Sequence, residues 1–226
     1  MGFSKTASVI FDVDGVIVDV SQSYHYAIKN TAEYFLKREV PIEEVRRIKF
    51  SRGINNDWFA TLEVIREFGG NASLEDIIEV FNELYKSLRD KERLILERGF
   101  FERLRTLDIS LGIVTGRPRE DLFYLFEKFE LLPYFECIVD EDTIEQEELR
   151  KPHPYALHLC VESLGVQKGI YVGDSLADWL MVKDYRRLYE KPLTYIHVGE
   201  RVVPEGVRFT SPLNLFEALQ EALQNL

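Results

Sequence analysis

Short apolar runs alternate with helical patterns from residue 94 onward, and this alternation constrains the fold more than any other feature of the chain. The strand-like runs are ISLGIVT, FECIVD, GIYVGD and PLTYIHVG, and the helical patterns are GFFERLRTL, REDLFYLFEKFEL, PYALHLCVESLG and a last helix opened by Ser211 and Pro212. The mixed apolar and polar stretch after GIYVGD carries no element prediction. Strands that alternate with helices need crossover connections, which produce a parallel sheet with helices on both faces. The predicted fold class is therefore α/β, with a doubly wound, Rossmann-like parallel sheet.

Another apolar run near the N-terminus, ASVIFDVDGVIV, contains two carboxylates, Asp12 and Asp14. Its Val and Ile content and its lack of proline are typical of a strand that is covered on both faces. A buried charge is costly unless a cation or hydrogen-bond donors compensate it. We therefore expect the strand to end near Asp12 and the chain to turn at Gly15, which leaves both carboxylates at the C-terminal edge of the sheet.

Residues 21–92 break the alternation and have helical patterns throughout. Ser21 is positioned to cap a first helix, Ser73 and Asp76 form a capping-box pattern before another, and paired glycines end a helix between them. Because this insert directly follows the aspartate-bearing strand, we expect a separate cap that covers that edge of the sheet. The predicted domains are an α/β core of residues 1–20 and 93–226 and a helical cap of residues 21–92.

Composition limits the partners and the compartment. The chain of 226 residues has 39 acidic residues against 28 Lys and Arg, a formal net charge of −11, which argues against nucleic-acid partners and anionic membranes. Cys137 and Cys160 lack metal-ligand spacing, so neither a disulfide framework nor a zinc site is indicated. No run reaches the ~20 apolar residues of a membrane span, and Asp12 and Asp14 interrupt the run where a signal peptide would lie. These features predict a cytoplasmic protein.

Four places in the predicted core put polar residues where a strand passes into the next helix. In a parallel sheet all four lie at one edge, which is where α/β sheets bind ligands. Gly116 follows one of them, Thr115, and leaves its backbone N–H open to an anion. The four places are Asp12 with Asp14, Thr115 in GIVTGRP, Lys151 in RKPHP, and Asp174 with Asp178 in GIYVGDSLAD.

These residues meet the requirements of phosphoryl transfer. A phosphate monoester resists attack by a carboxylate unless cations neutralise its oxygens. Asp12 and Asp174 can hold Mg²⁺, a hard cation that takes oxygen ligands. Lys151 supplies a fixed positive charge, and Thr115 and the amide of Gly116 can donate hydrogen bonds to phosphoryl oxygens. The predicted cofactor is Mg²⁺, and the predicted partner is a small phosphorylated metabolite.

The motifs DVDGV, VTG, KP and GDSLAD, in this order and with a helical insert after the first, resemble the haloacid dehalogenase superfamily, specifically its Mg²⁺-dependent phosphatases with a helical cap. The resemblance implies hydrolysis of a phosphate monoester through an aspartyl-phosphate, with Asp12 as the nucleophile. It implies that Asp14 acts as general acid and then as general base, and gives its backbone carbonyl to the metal. The other implied roles are phosphate binding by Thr115 and Lys151, metal binding by Asp174, and a place at the metal site for Asp178, where it orients Lys151 or a metal-bound water.

One stretch departs from the family pattern. Many relatives carry a small residue and a glycine some ten residues after the GDSxxD motif, and this chain has VKDYRRLYEKP there. The unusual connection to the next strand is a candidate oligomer contact, such as that of a homodimer.

Several alternatives stay open at this point. Arg117 in TGRPRED can reach the phosphate or pair with Glu120. In the cap loop SRGINNDW, Arg52 and Asn56 are candidate substrate contacts, against the alternative of an ordinary loop between helices. A phosphomutase with the same core and a non-catalytic protein that binds a phosphorylated ligand are the alternative functions. Dehalogenase relatives need no metal and usually lack the second aspartate, so Asp14 and Asp174 argue against them.

Overall fold

The computed structural model describes residues 5, 7–52, 54, 56–166, 168–199 and 205–226. The chain divides into two compact units, which we call the core unit, Met1–Val18 with Leu94–Leu226, and the cap unit, Asp19–Arg93. The boundaries expected from the sequence, at residues 20 and 93, lie within two residues of this division.

Six strands form the sheet of the core unit: β1 Ala7–Phe11, β4 Ile109–Val114, β5 Cys137–Val139, β6 Gly169–Gly173, β7 Thr194–Val198 and β8 Phe209–Thr210. Their order is β5-β4-β1-β6-β7-β8, and every neighbouring pair is parallel. Two short strands, β2 Val18–Asp19 and β3 Arg93–Leu94, pair with each other where the chain passes between the units. The predicted parallel α/β sheet is confirmed.

Both units also contain α-helices. The cap unit contains α1 Tyr24–Leu36, α2 Ile42–Ser51, α3 Asp57–Glu67 and α4 Leu74–Leu88. The core unit contains α5 Arg98–Arg105, α6 Arg119–Lys128, α7 Tyr155–Leu164, α8 Leu176–Tyr189 and α9 Leu215–Gln224. Among the described residues, none of these helices is both long enough and apolar enough to cross a membrane.

Several helix boundaries differ from the sequence expectations. The first helix begins at Tyr24, not directly after Ser21, and α9 begins at Leu215 after a short 3₁₀ turn. The expected cap of α4 is confirmed, since Ser73 Oγ accepts a hydrogen bond from the amide of Asp76 at 3.1 Å. The side-chain hydroxyl replaces the intrahelical partner that this first-turn amide lacks.

Helix α8 occupies the stretch that carried no element prediction. Its exposed surface includes Leu176, Leu180 and Leu188, so apolar residues are spread around the helix and no single apolar stripe marks it in the sequence. The helix continues through most of VKDYRRLYEKP to Tyr189, and β7 begins at Thr194.

The register of the sheet decides where the polar residues lie. Strands β1, β4 and β6 are buried along their whole length, and Phe11 at the end of β1 pairs with Ile113 on one side and Val172 on the other. All three strands run in the same direction, so their C-terminal ends lie at one edge. The polar residues that follow them are therefore neighbours in space.

The cap unit has its own buried centre. Tyr24 and Tyr85 stack with ring centroids 4.3 Å apart, and the fully buried Glu92 accepts hydrogen bonds from Ser23 Oγ at 2.7 Å and from Tyr85 Oη at 3.1 Å. These two donors offset part of the cost of burying the Glu92 carboxylate.

Candidate active site

Asp12, Lys151 and Asp178 form a buried cluster at the C-terminal edge of the sheet. Nζ of Lys151 lies 3.1 Å from Oδ1 of Asp12 and 2.5 Å from Oδ1 of Asp178, and the Lys151 side chain is only 4% exposed. Asp12 directly follows β1, and its amide donates to the carbonyl of Val172 at 2.9 Å, which fixes its backbone against β6. One ammonium group thus bridges two carboxylates from separate strand ends.

The two carboxylate oxygens of Asp178 make different sets of contacts. Asp178 is the third residue of α8, and its Oδ2 accepts a hydrogen bond from the amide of Ser175 at 3.0 Å. Ser175 Oγ accepts a hydrogen bond from the amide of Asp178, so the two residues form a reciprocal capping box. Asp178 Oδ1 meets Lys151 and the hydroxyl of Tyr171, the latter at 2.9 Å. Protein donors thus contact both oxygens of this fully buried carboxylate, and a place for Asp178 at the metal site stays a prediction.

Sequence reasoning missed Tyr171 and Ser175. The S-x-x-D spacing of Ser175 and Asp178 is a capping-box signal that would have identified both this contact and the start of α8. Tyr171 lies in an otherwise apolar strand, and a buried tyrosine hydroxyl needs a hydrogen-bond partner. The sequence spacing does not indicate which residue that partner is.

Asp174 completes an acidic cluster with Asp12 and Asp178. One carboxylate oxygen from each lies within 4.8 Å of the others, which is a separation that a single cation can span. With Lys151 as the only cation counted, three carboxylates and one ammonium leave this cluster a formal charge of −2. Hard oxygen ligands and an excess of two negative charges fit Mg²⁺.

Burial and the neighbouring charges both shift the pKa values of the cluster. Burial, and then the neighbouring Asp178, Asp174 and Asp14, raise the pKa of Asp12 well above its usual range, although Lys151 opposes the shift. Burial disfavours the ammonium form of Lys151, but Asp12 and Asp178 outweigh it and raise the pKa of Lys151. The two shifts have different main causes, burial for Asp12 and the neighbouring carboxylates for Lys151, and both favour a cluster in which Lys151 keeps its charge.

Arg117 reaches Asp14 across the sheet edge. Its Nε and Nη2 both donate to Oδ1 of Asp14, at 3.0 and 2.5 Å, and the arginine side chain has no exposed surface whereas that of Asp14 is 30% exposed. The amide of Arg117 also donates to Oγ1 of the buried Thr115, at 3.2 Å, and Gly116 between them is exposed. This pairing with Asp14 was not among the contacts expected for Arg117, and its contact with a phosphate or with Glu120 stays a prediction.

The candidate residues of the cap loop have structural partners of their own within the cap unit. Asn56 Oδ1 accepts from the amides of Trp58 and Phe59, at 2.9 and 3.1 Å, and so caps α3. Arg52 forms ion pairs with Glu63 and Glu67. Gly53 and Asn55 of the same loop lie outside the described residues. Contact of Arg52 and Asn56 with a substrate stays a prediction.

The fold and this cluster define the class of the protein. It is a Rossmann-like α/β protein with acidic residues and a buried lysine at the carboxyl edge of its sheet. A family model described as haloacid dehalogenase-like hydrolase matches residues 9–185, and the chain belongs to that family. The resemblance to this family that the motifs indicate is thereby confirmed.

The chain is also similar to individual curated proteins and solved structures. The chain is 30% identical over 188 residues to an imidazoleglycerol-phosphate dehydratase of Phytophthora nicotianae, covering 77% of this chain and 40% of that protein. It is 27% identical over 188 residues to a phosphoglycolate phosphatase of Pseudomonas fluorescens, covering 77% of this chain and 65% of that protein. The chain thus spans less than two thirds of either of these curated relatives. Among solved structures, a phosphatase from Thermococcus thioreducens is 28% identical, with a TM-score of 0.65 and coverage of 93% of this chain and 99% of that one.

Proposed function

We propose that the chain is a Mg²⁺-dependent phosphatase that hydrolyses a small phosphorylated metabolite through an aspartyl-phosphate on Asp12. The observation that carries the proposal is the 3.1 Å contact between Lys151 and Asp12 at the carboxyl edge of the parallel sheet. A carboxylate beside a fixed cation supplies both an attacking group and the positive charge that a phosphoryl group requires. Similarity to the phosphatase of Thermococcus thioreducens supports the same reaction class.

In the first half of the reaction, a carboxylate oxygen of Asp12 attacks phosphorus and the bond from phosphorus to the ester oxygen breaks. Asp14, protonated at this stage, gives its proton to that oxygen, and the alcohol leaves. Lys151, Thr115 and the amide of Gly116 bind the phosphoryl oxygens during the transfer. The products are an acyl phosphate on Asp12, a free alcohol and an Asp14 carboxylate.

In the second half, a water molecule attacks phosphorus and gives a proton to the Asp14 carboxylate. The bond from phosphorus to the Asp12 oxygen breaks, and inorganic phosphate leaves. Asp12 is again a carboxylate and Asp14 again carries a proton, so both groups return to their starting states. Asp14 lies two residues from the nucleophile and keeps 30% of its side chain exposed, which suits a group that must meet water.

Asp12 and Asp174 would hold the metal, with the backbone carbonyl of Asp14 as a further ligand, while Asp178 keeps Lys151 beside them. When bound, Mg²⁺ supplies positive charge that neutralises the phosphoryl oxygens. The formal charge of −2 on the cluster supports a divalent ion at this place.

The partners follow from charge and chemistry. A net charge of −11 disfavours nucleic acids and anionic membranes, so the proposed substrate is a small molecule. Cys137 and Cys160 carry free, buried thiols, which favours a reducing cytoplasm.

The test compares p-nitrophenyl phosphate with a panel of phosphorylated metabolites, with Mg²⁺ and with excess chelator. We expect metal-dependent release of inorganic phosphate and, in acid-quenched protein, a phosphoryl group on Asp12 by mass spectrometry. Asp12→Asn is the matched inactive control. Return of the phosphoryl group to an isomeric sugar phosphate would favour a mutase, and binding without phosphate release would favour a non-catalytic protein.

A further inference from the structure

The position of Arg117 is unusual for a charged side chain. Its guanidinium has no exposed surface, and it lies at the start of the turn that follows β4, two residues after Thr115. A buried guanidinium must be compensated by acceptors, since it keeps its charge at every pH that a protein experiences. Both Nε and Nη2 donate to the same oxygen, Oδ1 of Asp14, which is 103 residues away in the chain.

This contact constrains the Asp14 carboxylate more than a surface ion pair would. Two donors in the fixed fork of a guanidinium converge on Oδ1 of Asp14 and so fix the place of that oxygen more closely than a single ammonium could. The Asp14 side chain is 30% exposed, so without this anchor solvent would allow it to adopt several rotamers. Because the fork contacts Oδ1, this pair of contacts leaves Oδ2 to exchange the proton.

The same residue is tied to the phosphate-binding turn. The amide of Arg117 donates to Thr115 Oγ1 at 3.2 Å, and its carbonyl accepts from the amide of Glu141 at 3.2 Å. The backbone that carries the guanidinium is therefore itself fixed next to a proposed phosphate ligand. Positioning of Asp14 and of the phosphoryl oxygens is thus coupled through one short segment.

We propose that Arg117 is a positioning residue that acts through Asp14, and that it aims the acid–base carboxylate at the leaving oxygen and at the attacking water. This inference rests on the proposed phosphatase function. It differs from the alternative in which Arg117 binds the phosphoryl group directly, because the guanidinium faces Asp14 with two of its nitrogens.

The two roles predict different kinetics for Arg117→Gln. A nitrophenolate leaves without a proton, whereas an alkoxide needs one, and general acid–base help is worth about 10² to 10⁴-fold in rate. If Arg117 aims Asp14, the variant should lose about 10²-fold in kcat/KM toward an alkyl phosphate and less than about 5-fold toward p-nitrophenyl phosphate. The aryl substrate should then give a burst of nitrophenol followed by slow turnover, because hydrolysis of the aspartyl-phosphate also needs Asp14. Inhibition by inorganic phosphate should be unchanged.

Arg119→Gln is the matched control. Arg119 lies two residues further along the same segment and forms a two-nitrogen contact with Asp140, at 2.8 and 3.2 Å, from a side chain that is 56% exposed. The same change in charge and size there should leave both substrates unaffected. Arg117→Lys, which retains one donor group, should fall between wild type and Arg117→Gln, and it serves as the test variant if the glutamine protein does not fold.

A double-mutant cycle gives the decisive comparison. In an Asp14→Asn background, adding Arg117→Gln should change the residual rate with the alkyl phosphate by less than about 2-fold, against the loss of about 10²-fold in the wild-type background, since a residue that acts through Asp14 has nothing left to position. Additive losses, an equal loss for both substrates without a burst, or weaker inhibition by inorganic phosphate would overturn the inference. Wild-type protein that hydrolyses neither substrate with Mg²⁺ would instead refute the proposed function itself.

Discussion

A Cβ placed on Gly15 would lie 2.0 Å from Oδ2 of Asp174, far inside contact distance. Gly15 also has φ +80°, a left-handed backbone conformation that side chains disfavour. The turn after the aspartate-bearing strand therefore approaches the proposed metal ligand so closely that glycine alone fits. The glycine of the motif DVDGV is thus required by Asp174, which directly follows β6, the strand next to β1.

We expect Gly15→Ala to damage the metal site more than the fold. The new methyl group would push the Asp174 carboxylate away, so the rise in melting temperature caused by Mg²⁺ should be lost. The matched control is Gly69→Ala in the cap unit, because Gly69 has a similar φ of +77° but a Cβ there meets nothing within 4 Å. Both variants carry left-handed strain of about 1–2 kcal/mol, and only the first should lose the Mg²⁺ response in thermal unfolding. An unchanged response in Gly15→Ala would show that Asp174 is not a ligand.

Asp174→Asn should separate charge repulsion from metal binding. In chelator we expect this variant to unfold at a higher temperature than wild type, because it removes one of three clustered carboxylates. Mg²⁺ at about 100 times its Kd should stabilise the wild type by ~2.7 kcal/mol, a rise of about 5–10 °C, and should stabilise the variant far less. Asp184→Asn, at an exposed ion pair with Arg187, is the control in which neither change should occur. A variant that is less stable than wild type in chelator would contradict the charge argument.

The parallel sheet and three of the four polar strand ends were predictable because they depend on local rules, whereas Lys151 follows β5 only after two 3₁₀ turns. Alternating apolar runs specify parallel strands, and a parallel sheet brings Asp12, Thr115 and Asp174 to one edge whatever the details of packing. The pairing of Arg117 with Asp14 was not predictable in this way. It depends on the rotamer of a long side chain between residues that are 103 positions apart, and a shorter reach to Glu120 was equally plausible in the sequence.

The second part that could not be predicted is the buried hydrogen-bond network around Asp178. Periodicity identifies which residues are buried, but it does not specify which buried acceptor a hydroxyl such as that of Tyr171 will meet. Helix α8 was missed for a related reason, since its exposed leucines hide its amphipathic pattern. The capping-box spacing of Ser175 and Asp178 was the stronger signal for that helix.

Tyr171→Phe should lower stability with little effect on the reaction. The hydroxyl of Tyr171 contacts Asp178 Oδ1 at 2.9 Å and the carbonyl of Val114 at 3.1 Å, and both acceptors are buried beside it. Removing the donor should reduce the free energy of unfolding by about 1–3 kcal/mol, measured in urea. Because Lys151 keeps its contact with Asp178, kcat should fall by less than about 10-fold. The control Tyr189→Phe, at a half-buried residue that ends α8, should stay within ~0.5 kcal/mol of wild type. A large loss of activity without a loss of stability would mean that Tyr171 takes part in the chemistry.

The final prediction separates Asp12 from Asp14. Asp12→Asn should abolish turnover of every substrate, because an amide is a far weaker nucleophile than a carboxylate and also weakens the metal site. Asp14→Asn retains an oxygen that can accept from Arg117, so we expect it to fold and to be phosphorylated by p-nitrophenyl phosphate. It should release about one nitrophenol per site and then stall, because no base activates the water that cleaves the aspartyl-phosphate.

An alkyl phosphate should scarcely react with Asp14→Asn, since its leaving oxygen needs a proton, and the loss should be about 10² to 10⁴-fold. Mass spectrometry of the stalled protein should find the phosphoryl group on Asp12. An equal loss for both kinds of substrate with no burst would return Asp14 to a structural role as the partner of Arg117. A phosphoryl group on any other residue would reject Asp12 as the nucleophile.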